Sequence, residues 1–137
     1  MSTTDFLVII KPDGIRRGLV GEIITRFERK GFCLSKMKLL HPDQSKDFVS
    51  EHYSQHREMG YYAETVEFVL SGPIVVMVWN GNINVASQSV VGPTIPWEAS
   101  PGTIRGDFTS TMPANLIHCS RDSVSANREV KLWTPVF

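Results

Sequence analysis

The chain is short of cysteine, of net charge and of long apolar runs, and each shortage removes a class of function. Two cysteines, Cys33 and Cys119, lie far apart in the sequence, so neither a disulfide framework nor a cysteine-built metal site is expected. Free thiols in a reducing compartment fit them better. The 14 basic and 14 acidic residues cancel, which leaves no broad electrostatic footprint for a membrane surface or a specific nucleic acid partner. Any phosphate chemistry must therefore use local charge. The first apolar run stops at Lys11, far below the ~20 residues of a membrane span. Met1-Ser2-Thr3-Thr4-Asp5 carries no basic segment of the kind that opens a signal peptide. Repeats, low-complexity tracts and linkers are missing too. One cytoplasmic domain over residues 1–137 is expected, long enough to bury about two thirds of its unfolded surface.

What is present is a regular alternation of elements. Phe6-Leu7-Val8-Ile9-Ile10 is an uninterrupted, branched apolar run ending at a turn signal, which reads as a buried strand. Val20, Ile23, Ile24 and Phe27 form a helical stripe over Val20–Arg29 that ends at Gly31, as a C-terminal glycine would end it. A second strand is expected over Phe32–Leu40, helices over Asp43–His52 and Ala63–Leu70, and a third, fully buried strand over Ile74–Trp79. A weak helix over Asn84–Val91 is followed by a long loop, Gly92–Pro113, then a strand at Asn115–His118 and a helix from Asp122 to Leu132. This order suits an α+β fold, a ferredoxin-like split βαβ sandwich. A loop as long as Gly92–Pro113 is unusual in a small domain unless it has a function.

The segment with chemical promise is Asn115-Leu116-Ile117-His118-Cys119-Ser120, downstream of Pro101-Gly102-Thr103-Ile104-Arg105-Gly106-Asp107. A neutral imidazole attacks an electrophilic phosphorus without prior activation, and arginine offers a planar fork of donors that matches phosphate oxygens. Glu129, on the last helix, is placed to accept a hydrogen bond from the ring's other nitrogen and so to fix its tautomer. Lys11 stands at the mouth of the first strand, where an anion would meet it. Each feature has an ordinary alternative: a satisfied core histidine, a snorkelling lysine, or a glutamate paired with Arg128 or Lys131 on an exposed helix face.

Taken together, the blocks Ile10-Lys11-Pro12-Asp13-Gly14, Arg17-Gly18-Leu19-Val20-Gly21-Glu22-Ile23-Ile24, Glu51-His52-Tyr53, Ser71-Gly72-Pro73, Ser100 to Asp107 and Asn115 to His118 resemble the nucleoside diphosphate kinase family in order and spacing. The resemblance implies a four-stranded antiparallel sheet covered by helices. It also implies transfer of the terminal phosphoryl group of a nucleoside triphosphate to a nucleoside diphosphate, by a ping-pong route through phospho-His118. On the same grounds Lys11 would meet the ribose 3′ hydroxyl and the moving phosphoryl group, Asn115 the ribose, and Thr94 and Arg105 the phosphates. Tyr53 would lie by the phosphohistidine, Glu129 and Ser120 would brace it, and Tyr61 and Met112 would sandwich the base. Mg2+ would be held mainly by the nucleotide and water. The family implies a homo-oligomer, hexamer or tetramer.

Two departures from the family pattern stand out. Arg121 occupies the place of an aspartate after the histidine, and Gln88 or Ser89 the place of a phosphate-binding arginine. Arg121 and Gln88 are therefore counted with the nucleotide-binding residues, Arg121 as a replacement for the lost charge or, alternatively, as a solvated partner of Asp122. A catalytically weakened relative that only binds nucleotides or proteins is the rival to an active kinase.

Overall fold

The first strand, β1 (Thr4–Ile10), is buried from Phe6 to Ile10 because both of its faces are covered. In the computed structural model, which describes residues 3–137, Phe6, Val8 and Ile10 enter one apolar cluster with Ile23, Phe27 and Trp79. Leu7 and Ile9 enter another, with Val49, Val76 and Trp133. An alternating pattern would have left one face wet; the unbroken run in the sequence reflects two cores, one on each side of the sheet. Residues 1 and 2, part of the polar N-terminal stretch considered above, lie outside the described residues.

Among the described residues, four strands make one sheet in the order β2-β3-β1-β4. β1 pairs antiparallel with β3 (Ile74–Gly81) and with β4 (Ile117–Cys119), and β3 pairs antiparallel with β2 (Cys33–Leu40). Thus β1 and β2 run in the same direction with β3 between them, and the helical connection closes a split βαβ unit. This is the expected α+β architecture. α1 (Pro12–Arg16) and α2 (Val20–Arg29) join β1 to β2; α3 (Pro42–His52) and α4 (Tyr62–Val69) join β2 to β3. α5 (Ile83–Val85) continues as a π-helical turn over Ala86–Val91, then α6 (Ile104–Phe108) and, after β4, α7 (Ser123–Trp133) follow.

Two expectations need correction. Pro12-Asp13-Gly14 is no simple turn but the start of α1, with Pro12 at its first position, where the missing N–H costs nothing. The segment Gly92–Pro113 is not a structureless loop. It contains a 3-10 turn at Pro96–Glu98 and α6, which Thr103 caps by accepting from the Gly106 N–H at 3.0 Å. No described helix is long and apolar enough to cross a membrane.

Candidate active site

The site is assembled where the end of β1 meets the chain entering β4. The Lys11 N–H donates to the Leu116 carbonyl at 2.7 Å, and the Leu116 N–H donates to Asp13 Oδ2 at 3.0 Å. Leu116 has φ 70, a left-handed conformation that a branched side chain adopts only at a cost of about 1–3 kcal/mol, and these two bonds hold it there. Gly14 makes room: a Cβ on it would fall 2.7 Å from Ile10 Cγ2 and 3.4 Å from the Leu116 carbonyl. The bend delivers Ile117 and His118 into register with Ile10 and Ile9. Asp13 is quoted above only within a family block, and its role has no local signal because it depends on a partner across the fold.

His118 Nε2 lies 2.7 Å from Glu129 Oε1, and the Ser120 hydroxyl donates to the same oxygen at 2.8 Å. Glu129 is only 6% exposed. Burial works against its ionisation, but the charge and hydrogen bond of His118, with smaller help from His52 and Ser120, outweigh that and hold its carboxyl at about 2. The alternative pairing of Glu129 on an open helix face is absent: Arg128 instead donates to the Glu51 and His52 carbonyls. With Nε2 engaged by a carboxylate, Nδ1 is the ring nitrogen left for an electrophile, on a side chain 20% exposed.

His52, named above only as a helix end and within a family block, belongs to this neighbourhood. It is buried, its ring stands at 89° to that of His118 with centroids 4.4 Å apart, and its Nδ1 accepts the Trp133 indole N–H at 3.1 Å. His52, His118 and Glu129 each offer a polar atom within 4.8 Å of the others, which invites a metal. The surroundings argue against one. A metal-bound imidazole donates its other N–H to an acceptor, whereas the free side of His52 faces the indole, which only donates. Tyr53 packs edge-on against His52 at 4.7 Å, and burial followed by the Glu129 charge pushes its phenol up.

Next along β4, Cys119 lines a cavity of about 350 Å³ whose other walls include Ser87, Gln88, Thr94, Arg105 and Arg121. Arg105 is not in a loop, as expected of Gly92–Pro113, but buried in α6 with its guanidinium donating to the carbonyls of Gly92, Asn115 and Ile117. Burial lowers it to about 10, so it stays charged at neutral pH. Gly92 tolerates this cradle because its φ is 90 and a Cβ there would sit 2.8 Å from Thr103 Oγ1. Cys119 donates to the Ser120 carbonyl at 3.3 Å, and burial raises its thiol to about 12. It is therefore no rival nucleophile.

Lys11 is buried, and Nζ donates to Asn115 Oδ1 at 2.8 Å while Asn115 Nδ2 donates to the Thr94 carbonyl at 3.0 Å. Both ends of that amide are engaged, so Asn115 ties the lysine to the Thr94 segment. Arg121 immediately precedes Asp122, the N-cap of α7. It is highly exposed, and among the described residues its only ion pair is a loose 3.8 Å approach to Asp122. Tyr61 and Met112, 50% and 43% exposed, do not line the cavity. The Tyr61 hydroxyl meets His56 Nδ1 at 3.0 Å. No carboxylate lines the cavity. A hard cation entering it would arrive with phosphate oxygens and water of its own.

Burial, aided by the Arg105 charge and opposed by Asp13, lowers the Lys11 ammonium from an ordinary 10.5 to about 7. A folded value below the unfolded one means that the charged lysine costs stability below pH 7, at about 1.4 kcal/mol per unit, and that this cost fades as pH rises from 7 towards 10.5. Phosphates beside Nζ would reverse the shift. Nucleotide binding is therefore expected to take up close to one proton at pH 8, measured by calorimetry in buffers of different ionisation enthalpy. Lys11→Met should remove that uptake; uptake unchanged in the variant would assign it to another group.

Comparison with known proteins gives one consistent result. The family model described as nucleoside diphosphate kinase matches residues 4–136. A nucleoside diphosphate kinase of Exiguobacterium is 49% identical over 127 residues, covering 92% of this chain and 90% of the relative, and one of Crocosphaera subtropica is 50% identical over 92% and 84%. Among solved structures, a nucleoside diphosphate kinase family protein from Babesia bovis superposes with a TM-score of 0.88 at 39% identity, covering 97% of this chain and 90% of that one. A halophilic nucleoside diphosphate kinase from Halobacterium salinarum in complex with CDP gives 0.88 at 36% identity, over 96% and 88%.

Proposed function

The chain belongs to the nucleoside diphosphate kinase family, and on that footing we infer that its phosphoryl transfer from nucleoside triphosphate to nucleoside diphosphate runs through His118. The observation that carries this reading is the His118 ring itself, with Nε2 held by Glu129 and Nδ1 the ring nitrogen left over for an electrophile. In the first half reaction Nδ1 forms a bond to the terminal phosphorus, the bond to the bridging oxygen breaks, and the nucleoside diphosphate leaves. In the second, a terminal phosphate oxygen of the incoming diphosphate takes the group and restores the imidazole. Phosphoryl transfer asks little covalent work of a protein beyond the nucleophile, so positioning and cationic stabilisation set the rate.

Lys11 and Arg105 supply the buried cations, Asn115 and Asp13 hold Lys11 and the Leu116 bend, and Thr94 and Gln88 line the phosphate path. Tyr53, packed edge-on against His52, would lie by the phosphohistidine. The nucleotide is taken as its magnesium complex, consistent with a cavity free of carboxylates. Tyr61 and Met112, exposed and apolar, suit stacking on a base without reading its edges, and stacking is tolerant of base identity. That a relative was solved with CDP fits acceptance of pyrimidines. Exposed Leu34, Met37 and Leu39 on the open edge strand β2 support a homo-oligomer, since a bare apolar strand edge invites pairing.

Incubation with magnesium ATP and no acceptor should leave acid-labile, base-stable phosphate on His118, and addition of a second nucleoside diphosphate should discharge it as triphosphate. Absence of the label under conditions where ATP binds would leave the weakened, binding-only relative as the reading. Gln88 and Ser89 carry no charge, and Arg121, on the wall of the same cavity, is held only loosely. Arg121→Ala is accordingly expected to weaken triphosphate affinity by about tenfold, the low end for a charge-assisted hydrogen bond, with melting and assembly unchanged. Normal affinity with altered assembly would give Arg121 a structural role instead.

A further inference from the structure

Trp133 closes α7 with its side chain fully buried, stacked on Phe48 at a 5.5 Å centroid distance, and aims its indole N–H at His52 Nδ1. An indole nitrogen donates and never accepts. His52 Nδ1 must therefore carry a lone pair, and the ring's single proton must sit on Nε2. A second proton on Nδ1 would set donor against donor inside the core. Burial, with the His118 charge next in weight, holds His52 well below an ordinary imidazole, in agreement with that geometry. The ring so fixed stands perpendicular to His118 at 4.4 Å and edge-on to Tyr53 at 4.7 Å. Glu129 grips His118 through one atom, Nε2, and a single hydrogen bond leaves the ring free to rotate about its own axis of contact. A second wall is needed to set the plane of the ring, and His52 is the aromatic that supplies it.

We propose that Trp133 and His52 act as a positioning pair for the nucleophile: the indole N–H fixes the His52 tautomer and ring orientation, and His52 in turn fixes the plane in which His118 presents Nδ1 to the phosphorus. The inference rests on His118 as nucleophile, which the phosphate label on the unaltered protein tests separately. The pair spans α3 and α7, so these two helices, on the side of the sheet away from α2, set the aim of a side chain on β4. Neither residue touches the nucleotide in this account, and both act through His118.

The test has two parts. Long-range proton–nitrogen correlation on protein labelled with 15N-histidine should find His52 with its proton on Nε2; a proton on Nδ1 overturns the proposal outright, with no variant needed. Trp133→Phe keeps an aromatic ring on Phe48 but removes the donor. It is expected to give His52 a mixture of tautomers and to slow single-turnover phosphorylation of His118 by tenfold or more, the order of loss that misplacement of a reacting group brings. Affinity for the β,γ-imido analogue of ATP should stay within twofold. Phe48→Leu is the packing control, expected to lower the melting temperature but to preserve the tautomer and the phosphorylation rate. Equal slowing in both variants at equal loss of stability would reduce the pair to core packing, and an unchanged rate in Trp133→Phe would remove the proposal.

Discussion

Replacing His118 by alanine is expected to abolish both the acid-labile phosphate label and exchange between ATP and a second nucleoside diphosphate, a loss of several orders of magnitude. The expectation follows from how few nucleophiles the site contains. The Cys119 thiol is raised to about 12 and bonded to a carbonyl, the Tyr53 phenol is pushed up by burial, and the Lys11 amine is tied to Asn115. Triphosphate affinity should change little, because Lys11, Arg105 and the cavity wall remain. Rapid quench with radiolabelled ATP reads the first half reaction, and equilibrium binding of the imido analogue reads affinity. If the variant still exchanged phosphate at the parental rate, the covalent route would be wrong and direct transfer between two bound nucleotides would have to replace it.

Much of this arrangement is legible in the sequence, and the parts that are not share a cause. The unbroken apolar runs of β1 and β3 name the central strands because both sheet faces are covered. The stripe of α2 and the Asp122 cap of α7 mark their helices within a residue or two. The proximity of Glu129 to His118 is also foreseeable, since a helix leaving β4 must fold back over the sheet. Missed were α1 and α6, short helices whose glycines, Gly14 and Gly106, looked like turns; Pro12 and the Thr103 cap were the signals that would have placed them. Contacts between distant segments left no local trace. Asp13 meets Leu116 across 103 positions and Trp133 meets His52 across 81, and neither pair alters the periodicity around it. The sequence likewise suggested Arg105 as an open phosphate clamp, because nothing local reveals that three backbone carbonyls already face its guanidinium.

That cradle shifts weight onto the carboxylate behind the histidine. With Arg105 donating to backbone carbonyls, no described cation turns on the ring itself. When Nδ1 takes a phosphoryl group while Nε2 keeps its proton, the ring becomes positively charged and needs a counter-charge of its own. Against the cost of burial, the charge and hydrogen bond of His118 lower the Glu129 carboxyl and keep it ionised at neutral pH, and it lies 2.7 Å from Nε2. Glu129→Gln therefore removes the charge that stabilises the phosphorylated ring. An amide turned with its NH2 group towards Nε2 would also drive the proton to Nδ1 and block attack. A loss of roughly 10²-fold in single-turnover phosphorylation is expected, the usual contribution of a positioned acid–base partner. Nucleotide affinity should stay within twofold, since Glu129 does not line the cavity. Ser120→Ala, which removes one of the hydrogen bonds to the same oxygen, should give a smaller loss in the same step. Unchanged phosphorylation in Glu129→Gln would mean that the carboxylate only anchors α7 to β4, and the counter-charge would then have to come with the nucleotide.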